Sequence, residues 1–365
     1  MYPFKDDEIY ARNQWYVAAW SDELGRDGLL ERWFLGEPVV MYRTEEGKAV
    51  AVDGRCPHRN YPLSKGVLRG DDIECGYHGI TFAPSGECVR VPSQDKPPAS
   101  CKIRAYPVEE RGFMVWIWTG DPAAANPELI PSYDELRLDK EGWVACQGFS
   151  VDLKARYQLL NENLMDISHL SFLHAGSIGT EALAATEVQI TEHPRFVRGS
   201  RRMKDDVLTG FFANVLGYEG KVDRITLIDY YPPSVHVAWE MFLKPGALER
   251  VDENGGQLEG NEDILGMFRV HHMLSPATRH RSNYLIAYSR DFALEDASVT
   301  KVMTEVFQMV IQQDVDAVEA IEALLQNREA EPRDVMVKAD AHSIRGRRIL
   351  ESIIRDEGES TRPAD

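Results

Sequence analysis

The chain has 365 residues, long enough for two domains with separate cores. Lys and Arg total 41 against 59 Asp and Glu, a net charge of -18, which argues against nucleic acid or an anionic membrane as a partner. No apolar run is long enough to span a bilayer, and residues 1–7 lack the apolar core of a signal peptide, so the expectation is a cytoplasmic protein.

From residue 15 to 120 the pattern is short alternating strands broken by turns. Segments 39–42 and 49–52 flank Glu45-Glu46-Gly47, segments 79–82 and 88–91 flank Pro84-Ser85-Gly86, and Val108 and 113–118 flank Glu110-Arg111-Gly112. Three hairpin signals without an amphipathic helix predict a small all-β domain. Its loops carry Cys56-Pro57-His58, sixteen further residues, then Cys75-Gly76-Tyr77-His78. Two thiolates and two imidazoles suit a tetrahedral zinc. They equally suit a [2Fe–2S] cluster in which two histidines replace two cysteines on one iron. The remaining Cys88, Cys101 and Cys146 are an odd set without disulfide spacing, as in a reducing compartment. Between residues 54 and 70, Arg55, Arg59, Lys65 and Arg69 occur with no acid. They read either as a docking patch for an acidic redox partner or as charges on a solvated loop.

Residues 120–131, rich in Pro and Ala, read as a linker. Beyond it, 157–173 is helical in character, 225–231, 235–243, 265–274 and 283–290 read as strands of an antiparallel sheet, and 298–325 and 344–354 as amphipathic helices. Residues 252–262 read as an exposed loop and the polar tail after Arg355 as disordered. Within the first helical stretch, Asp166 and His169 are three apart and share a helix face. His169 and His174 are five apart, so the chain must bend for both to reach one ion. Two histidines alone balance evenly between core residues and metal ligands. Arg201, Arg202 and His236 could hold a substrate carboxylate or serve as surface or core residues.

The first motif, with Pro57, Arg59, Pro62, Leu63, Gly66, Gly76, Tyr77 and Gly79 around it, resembles the Rieske family. It departs at Asn60 and Tyr61, turn positions where small residues are commoner. The resemblance implies a [2Fe–2S] cluster on Cys56, His58, Cys75 and His78. The pattern Asn163-x-x-Asp166-x-x-His169-x4-His174 resembles the catalytic domain of Rieske non-haem iron oxygenases. With the looser segments 272–278 and 288–292, that likeness covers nearly the whole chain. It implies an α+β protein, with an all-β Rieske domain over residues 1–125 and a catalytic domain of helix-grip type over 126–365, an antiparallel sheet packed with helices.

The same likeness implies a mononuclear Fe(II) on His169, His174 and a carboxylate, a facial triad that leaves positions open for O2. Two acids on the long helix are candidates. Asp314 lies four after Val310 and four before Val318, on the apolar face, whereas Asp316 lies four after Gln312 and faces water. A carboxylate on a buried face needs a partner, which selects Asp314. Asp166, with Asn163, is implied in catalysis, its carboxylate accepting the outer-shell N–H of His169. The implied function is the terminal oxygenase of a multicomponent monooxygenase, most like the homotrimeric vanillate and dicamba O-demethylases, which turn an aryl methyl ether into a phenol and formaldehyde. The chain lacks a Gly-rich dinucleotide fingerprint, so NAD(P)H-derived electrons would come through a separate reductase and/or ferredoxin. N-demethylation and ring or methyl hydroxylation are the alternatives within the family. A Rieske electron carrier and a zinc-stabilised binding module are the alternatives of other classes.

Overall fold

The computed structural model describes residues 10–254, 256–327 and 335–360. The opening segment 1–7 and the last five residues of the polar tail lie outside the described residues. The chain divides into two units, one of Tyr10–Pro131 with Ser275–Asn283, the other of Ser132–Leu274 with the chain from Tyr284 onward.

The first unit is built of β1 (Trp15–Trp20), β2 (Leu30–Phe34), β3 (Glu37–Arg43), β4 (Ala49–Asp53), β5 (Val67–Arg69), β6 (Asp72–Glu74), β7 (Thr81–Phe82), β8 (Cys88–Arg90), β9 (Ala105–Tyr106), β10 (Val108–Arg111) and β11 (Met114–Trp118). They form small sheets of order β1-β11-β10, β2-β3-β4-β9 and β5-β6-β7-β8. β3 shows why its sequence is an unbroken apolar run. Val39 and Met41 enter one core with Tyr16, Phe34 and Ile117, while Val40 and Tyr42 enter a second with Leu63, Ile73 and Phe82. Alternate side chains leave opposite faces of a strand, and here both faces are buried. Cys56 and Cys75 belong to the second core.

The second unit has one sheet of order β12-β18-β17-β16-β15-β14-β13, formed by β12 (Val144–Leu153), β13 (Gln189–Glu192), β14 (Val197–Val207), β15 (Lys221–Tyr231), β16 (Val235–Leu243), β17 (Ile264–Thr278) and β18 (Arg281–Arg290). β12, β13 and β14 are strands that the hydrophobic pattern does not announce. β14 carries Arg198, Arg201 and Arg202, yet Arg198 sits opposite Asp229 of β15 in register and binds it through two hydrogen bonds of 2.6 and 2.7 Å. Ion pairing across the ladder lets a polar segment become an inner strand. The helices are α1 (Tyr133–Leu136), α2 (Tyr157–Met165), α3 (Glu181–Ala185), α4 (Gly210–Leu216), α5 (Ala297–Gln326) and α6 (Ala341–Ser360). α6 corrects the expectation of a disordered tail after Arg355. Arg355 and Glu357 are good helix formers, and propagation past Ile354 adds a hydrogen bond per residue without a new nucleus. α5 buries Met303, Phe307, Val310, Ile311, Asp314, Val315, Val318 and Glu322, a stripe of helical period.

Candidate functional site

Cys56 and His58 follow β4, and Cys75 and His78 follow β6. The two loops turn alike. Asn60 N–H donates to the Cys56 carbonyl at 2.9 Å and Gly79 N–H to the Cys75 carbonyl at 3.0 Å. Both turns close on a left-handed residue, Asn60 at φ 55° and Gly79 at φ 69°. Asparagine is the side chain that tolerates this region best after glycine, so the departure at Asn60 suits its turn. The loops also pack against each other too closely for side chains. A Cβ on Gly66 would lie 2.4 Å from the Glu74 carbonyl, and one on Gly76 2.7 Å from that of Lys65.

The outcome is a divided donor set. Cys56 and Cys75 are buried, while the exposed rings of His58 and His78 lie 4.5 Å apart between centroids. Burial pushes the Cys56 thiol up to about 11, with the neighbouring Cys75 adding to it against a backbone hydrogen bond at His58. A metal bound here displaces the thiol proton and holds the sulfur as thiolate. Two sulfurs inside and two imidazoles outside fit a two-iron centre with unlike irons. Of the basic residues around these loops, Arg55 is paired with Asp53 and Glu37 and Arg69 with Glu74.

The second constellation begins on α2. The Glu322 carboxylate accepts from Arg156 N–H at 3.2 Å and from its guanidinium at 2.7 and 2.9 Å, placing an anion at the start of the helix. α2 ends at Met165 because Asp166 leaves helical space, at φ −104° and ψ 92°. Its carboxylate instead accepts from Ser168 N–H and Oγ–H at 3.0 Å, starting the 3-10 turn Ile167–Ser171. The shared helix face expected for Asp166 and His169 is therefore absent. His169 Nδ1–H donates to the Asp166 backbone carbonyl, at 2.6 Å, and not to its carboxylate.

The bend that His174 requires is present. Ser177 and Gly179 N–H both donate to the His174 carbonyl at 3.1 Å. Gly179 passes the Leu170 carbonyl so closely that a Cβ would lie 1.7 Å from its oxygen. His174 Nδ1–H donates to Gln313 Oε1 at 2.8 Å. With both Nδ1 atoms engaged, both Nε2 lone pairs face Asp314 Oδ1, each at 3.2 Å. The three ligand atoms lie within 4.8 Å of one another. Burial raises the Asp314 carboxyl, but hydrogen bonds and charge attraction from the two imidazoles when they carry a proton on Nε2 outweigh it and hold it well below the carboxylate range, and a cation takes the place of those protons. Asn163 Nδ2–H also donates to Asp314 Oδ1 at 3.2 Å, while its own Oδ1 is buried without a partner among the described residues. Two imidazole nitrogens and one carboxylate converging in a buried place call for a cation, and this donor set fits a ferrous iron with open positions. Asp316 is exposed and accepts from Gln312 at 2.7 Å.

A cavity opens on these three residues. Its sheet wall is made of alternate residues of adjacent strands. Thr226, Glu240 and Phe268 stand in one row across β15, β16 and β17, and Ile228, Ala238 and Val270 in the next. Phe212, Phe307 and Ile311 line it from the helices. Polar groups are few. Burial lowers the His272 imidazole to about 4, so the ring is neutral. Tyr284, kept protonated by burial, shares a hydrogen bond of 2.6 Å between its hydroxyl and His272 Nδ1.

Other residues singled out in the sequence stand elsewhere. Arg201 is buried, donates to the Thr186 carbonyl at 3.1 Å and lies 3.5 Å from Asp166 Oδ1. Arg202 is paired with Glu253. His236 is a core residue whose Nε2–H donates to Asn161 Oδ1 at 2.9 Å. None of the three lines the cavity. Gln313, Glu240 and Thr226 escaped the sequence reading, although Glu240 is a conspicuous acid in the otherwise apolar stretch of β16.

The relationship to known proteins agrees with this geometry. Residues 14–107 match the family described as Rieske [2Fe-2S] domain, and residues 153–356 the vanillate O-demethylase oxygenase C-terminal domain. The chain is 34% identical to the toluene-4-sulfonate monooxygenase system iron-sulfur subunit of Comamonas testosteroni, over 97% of this chain and 100% of that one. It is 31% identical to the dicamba O-demethylase oxygenase component of Stenotrophomonas maltophilia, over 94% and 98%. The crystal structure of dicamba monooxygenase bound to 3,6 dichlorosalicylic acid superposes with a TM-score of 0.84 at 29% identity, covering 97% of this chain and 99% of that one. Carrying both a Rieske [2Fe–2S] domain and this catalytic domain, the chain belongs to the Rieske non-haem iron oxygenases.

Proposed function

We propose that this chain is the oxygenase component that O-demethylates a methoxylated aromatic compound, releasing a phenol and formaldehyde. The observation that carries the reading is the His169, His174 and Asp314 set at the end of a cavity walled by Phe212, Phe268 and Phe307. When bound, the mononuclear iron supplies the activation of O2, fed by the cluster. The protein's part is to hold and orient. His169, His174 and Asp314 are the iron ligands, their outer atoms held by the Asp166 carbonyl, Gln313 and Asn163. Cys56, Cys75, His58 and His78 hold the cluster. Asp166 and Asn163 are the further catalytic residues of the reading. The apolar walls keep water from the reacting carbon and orient a flat ring by contact.

Electrons come from a separate NAD(P)H-dependent reductase and/or ferredoxin, and the assembly is a cytoplasmic homotrimer. Among the described residues no helix is long and apolar enough to cross a membrane. The similarity to a toluene-4-sulfonate monooxygenase, whose substrate carries an aryl methyl and no methoxy group, supports a second reading, oxygenation of an aryl methyl group. Product analysis with paired methoxy- and methyl-aromatics and a surrogate reductase tests both. Formaldehyde and a phenol from the methoxy compound carry the first reading, and a benzylic alcohol with no formaldehyde replaces it with the second.

A further inference from the structure

The cavity has a charge preference of its own. Glu240 is 6% exposed and sits on the cavity wall. Its two protein donors, Arg224 Nε–H at 2.7 Å and Thr226 Oγ1–H at 2.8 Å, both reach Oε2. Oε1 has no protein donor among the described residues. It is also missing from the buried atoms that lack a partner, so it is open to the cavity. The guanidinium behind it does not line the cavity, and its Nη2 is buried without a hydrogen-bond partner among the described residues. Arg224 is fully buried between Phe212 and Phe242 and also faces Asp206 at 3.5 Å, so one cation stands against two carboxylates. No Lys or Arg lines the cavity, and His272 is neutral.

We propose that Glu240 sets the substrate class, selecting an aromatic compound that turns an ammonium, amine or hydroxyl donor toward Oε1 and carries no carboxylate or sulfonate. The inference rests on the oxygenase reading of this cavity. A buried carboxylate oxygen without a donor leaves desolvation uncompensated, and a donor on the ligand restores that hydrogen bond with the strength of a charge-assisted one. Fe(II) offsets the Asp314 carboxylate at its own ligands, whereas a ligand anion turned toward Oε1 meets the unneutralised charge of Glu240 and is disfavoured there. A purely structural Glu240, present only to neutralise Arg224, leaves binding indifferent to ligand charge.

The test is direct binding to the iron-loaded, resting oxygenase by calorimetric titration, ahead of any turnover. Three ligands of similar shape serve as probes: 4-methoxybenzylamine, 4-methoxybenzyl alcohol and 4-methoxybenzoate. The expected order is amine, then alcohol, then benzoate, with at least about tenfold between the first and last. Glu240→Gln, judged folded by an unchanged cluster spectrum, is expected to shrink that ratio to within about threefold. Because Glu240→Gln can disturb Arg224, the wild-type series stands on its own. Benzoate binding as tightly as the amine, no measurable amine binding, or a folded Glu240→Gln with an unchanged ratio overturns the assignment. Formaldehyde release is measured separately in the same preparations. Amine preference without formaldehyde keeps the role of Glu240 and sinks O-demethylation. Efficient demethylation of the benzoate does the reverse.

Discussion

Asn163 of α2 and Asp314 of α5, 151 positions apart in the chain, are joined by a hydrogen bond of 3.2 Å from Nδ2 to Oδ1. That oxygen is the one both imidazoles face. An outer group that orients a ligand typically carries a 10–100-fold effect on metal affinity or activity. Asn163→Ala is expected to weaken retention of the mononuclear iron by about that factor, read as iron lost to a chelator at fixed concentration. The cluster absorption stays as in wild type. Retention equal to wild type makes the contact merely structural.

Asp314→Ala is expected to abolish the mononuclear iron and all turnover while the protein stays brown. Asp316→Ala keeps both and changes stability by no more than about 0.5 kcal/mol, since its carboxylate is exposed. Iron and acid-labile sulfide assays separate the variants. The wild type carries more iron than sulfide, Asp314→Ala equal amounts. Exchanged phenotypes would place the ligand on the wrong acid.

The contact between the cluster loops makes Gly76 sensitive. A Cβ there meets the Lys65 carbonyl at 2.7 Å, with no flexible side chain to give way. Gly76→Ala is expected to lower cluster occupancy and visible absorption per chain. Gly28→Ala, where a Cβ meets nothing within 4 Å, leaves both unchanged.

Asp166→Asn keeps the backbone carbonyl that holds His169, and asparagine caps a helical turn as well as aspartate. Normal iron content and a normal cluster spectrum are therefore expected. If the carboxylate conducts electrons between the centres, product formation nevertheless collapses. Full activity reduces Asp166 to a cap. The subunit question is answered by mixing Cys75→Ser and His174→Ala proteins, each inactive alone. Transfer between chains of a trimer restores activity in mixed assemblies, and transfer within a chain restores none.

Arg156 and Glu322 are buried together where α2 starts against α5. Burial raises Glu322, but hydrogen bonds from Arg156 outweigh it and lower the carboxyl from 4.5 to about 2. A carboxyl depressed in the folded state contributes stability that is present above its unfolded value and lost as pH falls through the folded one. That contribution is expected to be lost between about pH 4.5 and 2. Arg156→Met, which strands a buried charge, costs about 3 kcal/mol near neutrality. Melting scans are expected to show the two proteins far apart at neutral pH and converging in acid. A constant gap would contradict the pairing.

Local information carries the parts of this protein whose geometry is local. The two Cys/His pairs announce a metal centre because their spacing places each pair in one turn, and Asn60 can stand in for glycine because its left-handed conformation is a property of one residue. Asp314 is readable as buried because helical period alone puts it with Val310 and Val318. Side-chain contacts that the hydrophobic pattern does not encode decided the rest, whether two residues apart or far along the chain. Asp166 faces away from the helical register it shares on paper with His169, since its carboxylate finds two donors on Ser168 by breaking the helix. β14 becomes an inner strand because Asp229 waits opposite Arg198, a pairing that no hydrophobic pattern encodes. Gln313 and Glu240 acquire their roles from His174 and Arg224, which lie 139 and 16 residues away. A polar side chain's function depends on which partner's lone pair or proton lies within 3 Å, and chain folding, rather than residue type, brings that partner there.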